Sequence, residues 1–262
     1  MAKFKQKSEK EKQPSKVMEK LKWFDPFTYV DLFVMPQVKK ISASKKVEFI
    51  VNVLFAALFA GIIYLLLGFL FGSSSPLVIV YSASMETTFY RGDVMGLTGL
   101  NQNMPLGKEI TLNKNILNVP VSEYANPQYE NGQLKSIVFS NGQEIFPDES
   151  SAVIVYPSYP MRIPIIHRTI VKITALDGTF VLTKGDNEKT NFTYDQDCGA
   201  IDYYNTKSEK PCITFFAIPI KDIQGVSFFE IPKVGCLKLW IVDDLVSLLA
   251  TGKLPRDFQG IC

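Results

Sequence analysis

Two serines, one histidine and one aspartate are the residues whose types and spacing could support nucleophilic catalysis in this chain. Ser82 and Ser84 lie in L-V-I-V-Y-S-A-S-M-E-T-T, directly after a short apolar run typical of a buried strand. His167 follows in R-I-P-I-I-H-R and Asp186 in L-T-K-G-D-N. A serine hydroxyl becomes a nucleophile when a base takes its proton, and a carboxylate can orient an imidazole base. The set therefore predicts acyl-transfer chemistry where a strand leaves the core.

Each of these residues taken singly is typical of ordinary structure. A Ser-Met pair is common, a lone histidine is more often structural than catalytic, and Gly-Asp is usually a turn. Their conjunction, in this order and after one membrane-spanning segment, favours catalysis.

A long apolar run before the serines predicts one transmembrane helix, placed at residues 47–72. Residues 49–72 contain no charged residue and only Asn52 interrupts the apolar character. As a helix this run would extend about 36 Å, enough to cross the hydrocarbon core with some tilt. Its length, and the 46 residues before it, argue against a cleavable signal peptide.

Charge is divided unevenly along the chain. Residues 1–46 carry twelve lysines and five acidic residues, a net charge of +7, whereas the whole chain has a net charge of +2. The lysine-rich side of a span usually stays in the cytoplasm, so we expect a cytoplasmic tail and an extracytoplasmic domain. Nucleic acid is excluded as a partner because the tail lacks arginine and any recognisable binding fold.

The aromatic segment at residues 23–36 allows two interpretations. Its composition suits an interfacial segment lying against lipid headgroups. A small apolar plug packed on a partner protein fits equally well.

Short β-type runs separated by Gly, Pro, Asn and Asp follow the span. This spacing predicts a mainly β fold, an antiparallel catalytic domain over residues 73–235 anchored by the one helix. Asp177-Gly178 predicts a tight hairpin that would carry Asp186 back past the strand that follows His167. Residues 99–148 are polar and rich in turns, and we treat them as an insertion.

Residues 236–262 form an amphipathic C-terminal segment. A single helical stripe contains Leu237, Ile241, Leu245 and Leu248. Docking on the β domain is favoured over lying on the membrane, since a membrane-surface helix is normally basic.

Four cysteines, Cys198, Cys212, Cys236 and Cys262, fall in the extracytoplasmic part, where disulfides are permitted. Closing the loop from Cys198 to Cys212 would contribute roughly 3 kcal/mol, but whether Cys198/Cys212 and Cys236/Cys262 pair stays open. No Cys-x-x-Cys pair indicates zinc, so we expect no metal and no cofactor. Asn191-Phe192-Thr193 matches a glycosylation acceptor pattern.

The chain resembles type I signal peptidases of the archaeal and endoplasmic-reticulum kind. The matching segments are S-A-S-M-E-T-T-F-Y-R-G-D, A-V-I-V-Y, I-P-I-I-H-R, L-T-K-G-D-N and I-P-K-V-G-C-L-K-L-W. They cover most of the chain outside the tail and the insertion. Alanine replaces a family glycine at Ala83 and threonine replaces a proline at Thr87. Neither change removes a reacting group, although alanine fits only if the backbone there avoids positive φ.

The resemblance implies a role for each site residue. Ser84 would be the nucleophile, and Ser82 would assist the Ser84 amide in an oxyanion hole. His167 would be the general base, where bacterial relatives have a lysine. Asp186 would orient the imidazole, with Asp195 as the alternative acid because the family's second acid has no counterpart at the usual spacing.

The resemblance also implies a function. It indicates a membrane-bound serine endopeptidase that cleaves signal peptides from secretory pre-proteins, in a cell membrane or in the endoplasmic-reticulum membrane. Signal peptides and the lipid bilayer are the expected partners, with the protein-translocation machinery as a further candidate. The alternative is a non-catalytic anchored β domain that binds signal peptides or serves as a scaffold. A scaffold has no reason to keep a complete Ser, His and Asp set.

Overall fold

A computed structural model describes residues 22–41, 44–101, 104–158, 162–198 and 213–253. The chain divides into two units, Met1–Leu66 and Leu67–Cys262.

The first unit is helical. Its elements are a 3-10 turn (Lys22–Phe24), α1 (Pro26–Tyr29), a π-helical turn (Val30–Val34), α2 (Met35–Ile41) and most of α3 (Lys45–Phe71). Asp25 caps α1, because its Oδ1 accepts a hydrogen bond of 3.0 Å from Phe27 N. The helix α3 has 27 residues and is long and apolar enough to span a membrane, as predicted. The interfacial role of residues 23–36 stays a prediction.

The second unit contains eleven strands among the described residues. They are β1 (Leu77–Ile79), β2 (Val94–Thr98), β3 (Lys108–Leu112), β4 (Ala125–Glu130), β5 (Gln133–Phe139), β6 (Glu144–Ile145), β7 (Val153–Pro157), β8 (Pro164–Ala175), β9 (Gly178–Lys184), β10 (Ile218–Pro219) and β11 (Gly225–Ile231). The main sheet has the order β1-β2-β11-β7-β8-β9-β10, and the second sheet has the order β4-β5-β6. Every pairing is antiparallel except that of β3 with β8. The predicted antiparallel β fold is therefore confirmed.

The strand β7 lies inside the main sheet and is buried on both faces. Side chains of a strand alternate between the faces, so Val153 and Val155 pack in one apolar cluster. Ile154 and Tyr156 pack in another, on the opposite face. The continuous apolar run that predicts this strand reflects burial on both sides.

The predicted hairpin at Asp177-Gly178 is present and joins β8 to β9. Gly178 has a φ of +146°, which glycine adopts without a steric cost. A bulge between Thr169 and Val171 shifts the pairing, and Arg168 lies opposite Lys184. This register decides which side chains meet beyond the end of β9.

Residues 99–148 contribute to both sheets. The strand β3 extends the main sheet, whereas β4, β5 and β6 form the second sheet. Ile137 and Phe139 of the second sheet pack with Ile173 and Phe180 of the main sheet in one buried cluster. The two sheets thus share a core, and the domain boundaries drawn from the sequence stay predictions.

The C-terminal segment is helical, with α4 (Cys236–Lys238), a π-helical turn (Leu239–Leu245) and α5 (Val246–Thr251). Three members of its stripe are exposed, since Leu237, Ile241 and Leu248 are 63%, 41% and 41% exposed, whereas Leu245 is half-buried. Leu239, outside that stripe, is buried, at 1% exposed. The buried side chain of Leu239 therefore does not belong to the stripe that the sequence pattern indicates, and docking through that stripe stays a prediction.

Two of the four cysteines lie among the described residues. Cys198 and Cys236 are both disulfide-bonded. Cys212 and Cys262, the partners considered for them, lie outside the described residues, so the pairing stays open.

Three buried tyrosines should make the fold sensitive to alkali. Burial raises the pKa of Tyr124, Tyr156 and Tyr194 above the ordinary value of 10.0. The unfolded chain loses these protons near pH 10 while the folded chain keeps them. Stability should therefore be unaffected by these groups below about pH 10 and should fall above it, by up to about 1.4 kcal/mol per pH unit for each tyrosine.

Tyr124→Phe should weaken that alkaline dependence. The ring remains in the core, but one titrating hydroxyl is lost. Thermal unfolding of the detergent-solubilised protein from pH 8 to pH 11 should show a smaller fall in Tm for the variant than for the wild type. Identical falls in the two proteins would contradict the assignment.

Candidate active site

The nucleophile candidate lies in a short turn between β1 and β2. Residues Ala83–Met85 form a single 3-10 turn. Met85 anchors it, because its side chain is 1% exposed and packs in the cluster that contains Val153 and Val155. Ala83 does not have a positive φ. Alanine therefore fits where the related family has glycine.

The two serines face each other. Ser82 Oγ lies 3.1 Å from Ser84 Oγ, so one hydroxyl can donate to the other. Ser82 is exposed and Ser84 is half-buried. The nucleophile candidate is thus partly accessible to solvent.

Ser84 and His167 line one cleft of about 510 Å³. Its walls are mostly apolar and come from β1, β7, the start of β8 and Leu239. Among the described residues, Ser84 Oγ makes its hydrogen bond to Ser82 and not to His167. Such bonds are often long without substrate and shorten in the substrate complex, so the arrangement is compatible with proton transfer.

His167 is hydrogen-bonded to Asp195. His167 Nδ1 lies 2.6 Å from Asp195 Oδ2, and the two side chains are 3% and 0% exposed. The bond leaves Nε2 as the ring nitrogen available for a proton from a hydroxyl. In serine hydrolases, an imidazole hydrogen-bonded to a carboxylate in this way is the arrangement that activates the serine.

Two further donors hold the Asp195 carboxylate. Tyr156 OH donates to Oδ2 at 2.8 Å, and Thr183 Oγ1 donates to the same oxygen at 2.7 Å. Burial, followed by the nearby Asp195 charge, raises the pKa of Tyr156 well above its ordinary value. The phenol therefore stays protonated and remains a donor.

Asp186 does not reach His167. Its Oδ1 accepts from Arg168 Nε at 2.9 Å, and its Oδ2 accepts from Arg168 Nη2 at 2.6 Å. Thr88 Oγ1 donates to Oδ2 at 2.5 Å. The contact predicted between Asp186 and the imidazole is therefore wrong, because the hairpin register delivers Asp186 to Arg168. Asp195, the alternative acid, occupies the predicted position.

The Arg168 and Asp186 pair still contributes to the site through Thr88. Thr88, whose hydroxyl donates to Asp186, also closes the serine turn, because its backbone N donates to Met85 O at 2.8 Å. Arg168 Nη1 donates to the carbonyls of Glu149 and Ser151, at 2.6 and 2.7 Å. Asp186 is thus part of the frame around the turn.

Residues 187–197, here named the acid segment, connect the serine turn to His167. At one end, Asn187 N and Asn191 Nδ2 donate to Ser84 O at 3.0 and 3.2 Å. Near the other end, Asp195 N donates to Thr183 O at 2.8 Å. One segment therefore holds both the backbone of the nucleophile candidate and the carboxylate that contacts His167.

The glycosylation pattern at Asn191 is not usable in this fold. Asn191 is 4% exposed and its side-chain nitrogen is bonded to Ser84 O. An amide in this position is closed to a glycan. The residue supports the serine turn instead.

Several supporting residues had no clear signal in the sequence. Tyr156 and Thr183 belong to ordinary strand patterns, and Asn191 resembles a surface acceptor. Alternation along β7 places Tyr156 on the same face as Ile154, the residue opposite His167. That pairing is the one pattern that could have identified Tyr156.

Comparisons with known proteins point to one kind of enzyme. The catalytic subunit sec11 of the signal peptidase complex of Schizosaccharomyces pombe is 25% identical over 206 residues, 79% of this chain and 88% of the relative. The corresponding subunit of Plasmodium falciparum is 27% identical over 193 residues, 73% of this chain and 72% of the relative. That of Saccharomyces cerevisiae (strain YJM789) is 25% identical over 173 residues, 66% of this chain and 69% of the relative.

This chain is a homologue of signal peptidase catalytic subunits. No family model matches it. The resemblance stated from the sequence motifs is confirmed. The roles of individual residues in this signal peptidase homologue stay predictions.

Gly185 allows the acid segment to lie against the serine turn. A Cβ atom at this position would lie 2.6 Å from Ser84 O and 2.6 Å from Asn191 Nδ2. Gly185→Ala should therefore displace the segment or the turn and destabilise the domain by about 1–3 kcal/mol. Thermal unfolding should show a lower Tm than for Gly61→Ala, where a Cβ meets nothing within 4 Å. An unchanged Tm for Gly185→Ala would contradict the close approach.

Proposed function

We propose that this signal peptidase homologue is a membrane-anchored serine endopeptidase that removes signal peptides from secretory pre-proteins. The observation that carries the proposal is the buried bond of 2.6 Å between His167 Nδ1 and Asp195 Oδ2, beside the cleft that Ser84 also lines. The names of the relatives supply the substrate class. The bond supports an active rather than a scaffolding role.

In the proposed reaction, Ser84 Oγ attacks the carbonyl carbon of the scissile peptide bond. His167 Nε2 accepts the hydroxyl proton during attack and returns it to the leaving amine. Asp195 keeps the ring in the tautomer with Nδ1 protonated and stabilises the imidazolium that forms. A water molecule, activated by the same imidazole, then hydrolyses the acyl enzyme.

The oxyanion would be stabilised by two donors from the serine turn. The backbone N–H of Ser84 and the hydroxyl of Ser82 are the candidates, and the two serine oxygens lie 3.1 Å apart. Donors aimed at the developing charge are each worth about 10²- to 10³-fold in rate. Ser82 therefore should assist catalysis without being essential to it.

The mostly apolar walls of the cleft support binding of a short apolar segment. Its walls include Val78, Val80, Val155 and Ile166 around the serine turn. Signal peptides carry small residues before the cleavage site. An extended peptide lying along these walls would bring its carbonyl towards Ser84.

The position of Ser84 in the chain suits a substrate that is still in the membrane. Ser84 follows the end of α3 at Phe71 by thirteen residues. A signal peptide whose apolar part remains in the bilayer would present its cleavage site close to the surface. We propose that the tail before α3 is cytoplasmic, that the β domain is extracytoplasmic, and that the protein-translocation machinery is a partner.

Ser84→Ala should abolish cleavage, because it removes the attacking oxygen. Ser82→Ala should lower turnover by about 10²- to 10³-fold. The test is incubation of the detergent-solubilised protein with a pre-protein, followed by mass spectrometry of the cut. Ser140→Ala changes an exposed serine and should cleave at the wild-type rate. Wild-type cleavage by Ser84→Ala would disprove the nucleophile assignment.

Asp195→Asn should be far more damaging than Asp186→Asn. Losing the carboxylate on the base costs about 10⁴-fold in a well-studied triad. Asp186→Asn keeps an oxygen that can accept from Arg168, so we expect a loss of roughly 10-fold. Turnover should be measured on one pre-protein, with the exposed Asp222→Asn as the control. If Asp186→Asn is inactive and Asp195→Asn is not, the orienting role belongs to Asp186.

A further inference from the structure

The hairpin of β4 and β5, in the second sheet, is hydrogen-bonded to the acid segment. Leu134 N donates to Phe192 O at 2.8 Å, which is a backbone bond between the hairpin and the segment. Gln133 Nε2 donates to Glu188 O at 3.2 Å. The second sheet therefore holds the segment near both ends of the part that supports Ser84.

Tyr129, in the same hairpin, contacts the acid segment on both sides of Asp195. Its hydroxyl lies 2.9 Å from Thr193 Oγ1 and donates to Asp197 Oδ2. Thr193 Oγ1 also donates to Asp197 Oδ2, at 2.7 Å. The two residues that Tyr129 contacts stand two positions before and two positions after Asp195. Burial, followed by the hydrogen bond to Asp197, raises the pKa of Tyr129, so its hydroxyl stays protonated.

Tyr129 is neither a core residue nor part of the cleft. Its side chain is 43% exposed, whereas Asp195 is 1% exposed. It is absent from the walls of the cleft that Ser84 and His167 share. Its side-chain hydrogen bonds reach the site through the acid segment and not through the cleft.

We propose that Tyr129 is a positioning residue for the Asp195 carboxylate. Its hydroxyl fixes Thr193 and Asp197, and these fix the backbone that presents Asp195 to His167. The inference rests on the proposed function, in which His167 is the base. It gives the insertion at residues 99–148 a purpose, because Tyr129 and its hairpin belong to it.

The kinetic test uses the full chain and Tyr129→Phe. This variant loses the hydroxyl but keeps the ring, whose centroid lies 6.5 Å from that of Phe192. We expect kcat to fall by about 10- to 100-fold with KM unchanged, because the base is misplaced while the cleft is intact. Lys135→Gln, in the same hairpin, breaks only the exposed pair of 3.3 Å between Lys135 and Glu130 and should leave kcat unchanged. A wild-type kcat for Tyr129→Phe would overturn the proposal.

A spectroscopic test separates positioning from general structural damage. His167 is the only histidine in the sequence, so ¹⁵N-histidine labelling of the protein, made without a polyhistidine tag, reports on this residue alone. The proton on Nδ1 should resonate upfield in Tyr129→Phe, because its bond to Asp195 weakens, and should be unmoved in Lys135→Gln. A reduced kcat with an unmoved resonance would show that Tyr129 acts by another route and would overturn the proposal.

The spectroscopic result does not depend on turnover. If Ser84→Ala retained activity, the proposed function would fail, yet the His167 resonance would still test the contact between hairpin and acid segment. Asp197→Ala removes the acceptor of the same hydrogen bond. If Tyr129→Phe does not fold, Asp197→Ala should show the same upfield shift of the Nδ1 proton relative to the wild type. An unmoved resonance in Asp197→Ala would equally count against positioning by this route.

Discussion

The burial of the Asp195 carboxylate beside His167 is the constraint on which the site depends. A buried carboxylate costs several kcal/mol unless donors surround it. The imidazole, Tyr156 and Thr183 all contact its Oδ2, at 2.6, 2.8 and 2.7 Å. These donors come from three neighbouring strands of the main sheet, β7, β8 and β9. The order of these strands therefore brings together the three side chains whose hydrogen bonds compensate the buried negative charge of Asp195.

The serine turn is held by a different kind of contact. It contains one 3-10 turn and little regular structure, so its backbone needs partners from elsewhere. Asn187 and Asn191 supply them at Ala83 O and Ser84 O. Because the same segment carries Asp195, these hydrogen bonds link the position of the serine turn to that of the Asp195 carboxylate. This coupling explains why polar residues without strand character are buried next to the cleft.

Local patterns predicted the parts of the fold that depend on neighbours in sequence. The apolar run predicted α3, and Asp177-Gly178 predicted the β8–β9 hairpin. Both predictions succeeded because each sequence signal lies within the helix or hairpin that it predicts. The site depends on contacts between distant residues. The bulge in β8 and the Arg168 and Lys184 pairing direct Asp186 to Arg168, and neither is visible in the sequence. Asp195 reaches His167 only because its amide returns to Thr183, a bond that spacing alone does not reveal.

The uneven burial of the site has a consequence for its motions. Residues 191–196 are all buried, whereas the three residues of β1 and Ser84 are half-buried. Local opening costs less free energy where fewer apolar contacts are lost, so amide hydrogens of the β1 side should exchange with solvent sooner than those of the acid segment. In the proposed reaction, the side that admits the peptide would then be the side that opens more readily. The side that holds Asp195 against His167 should open less readily.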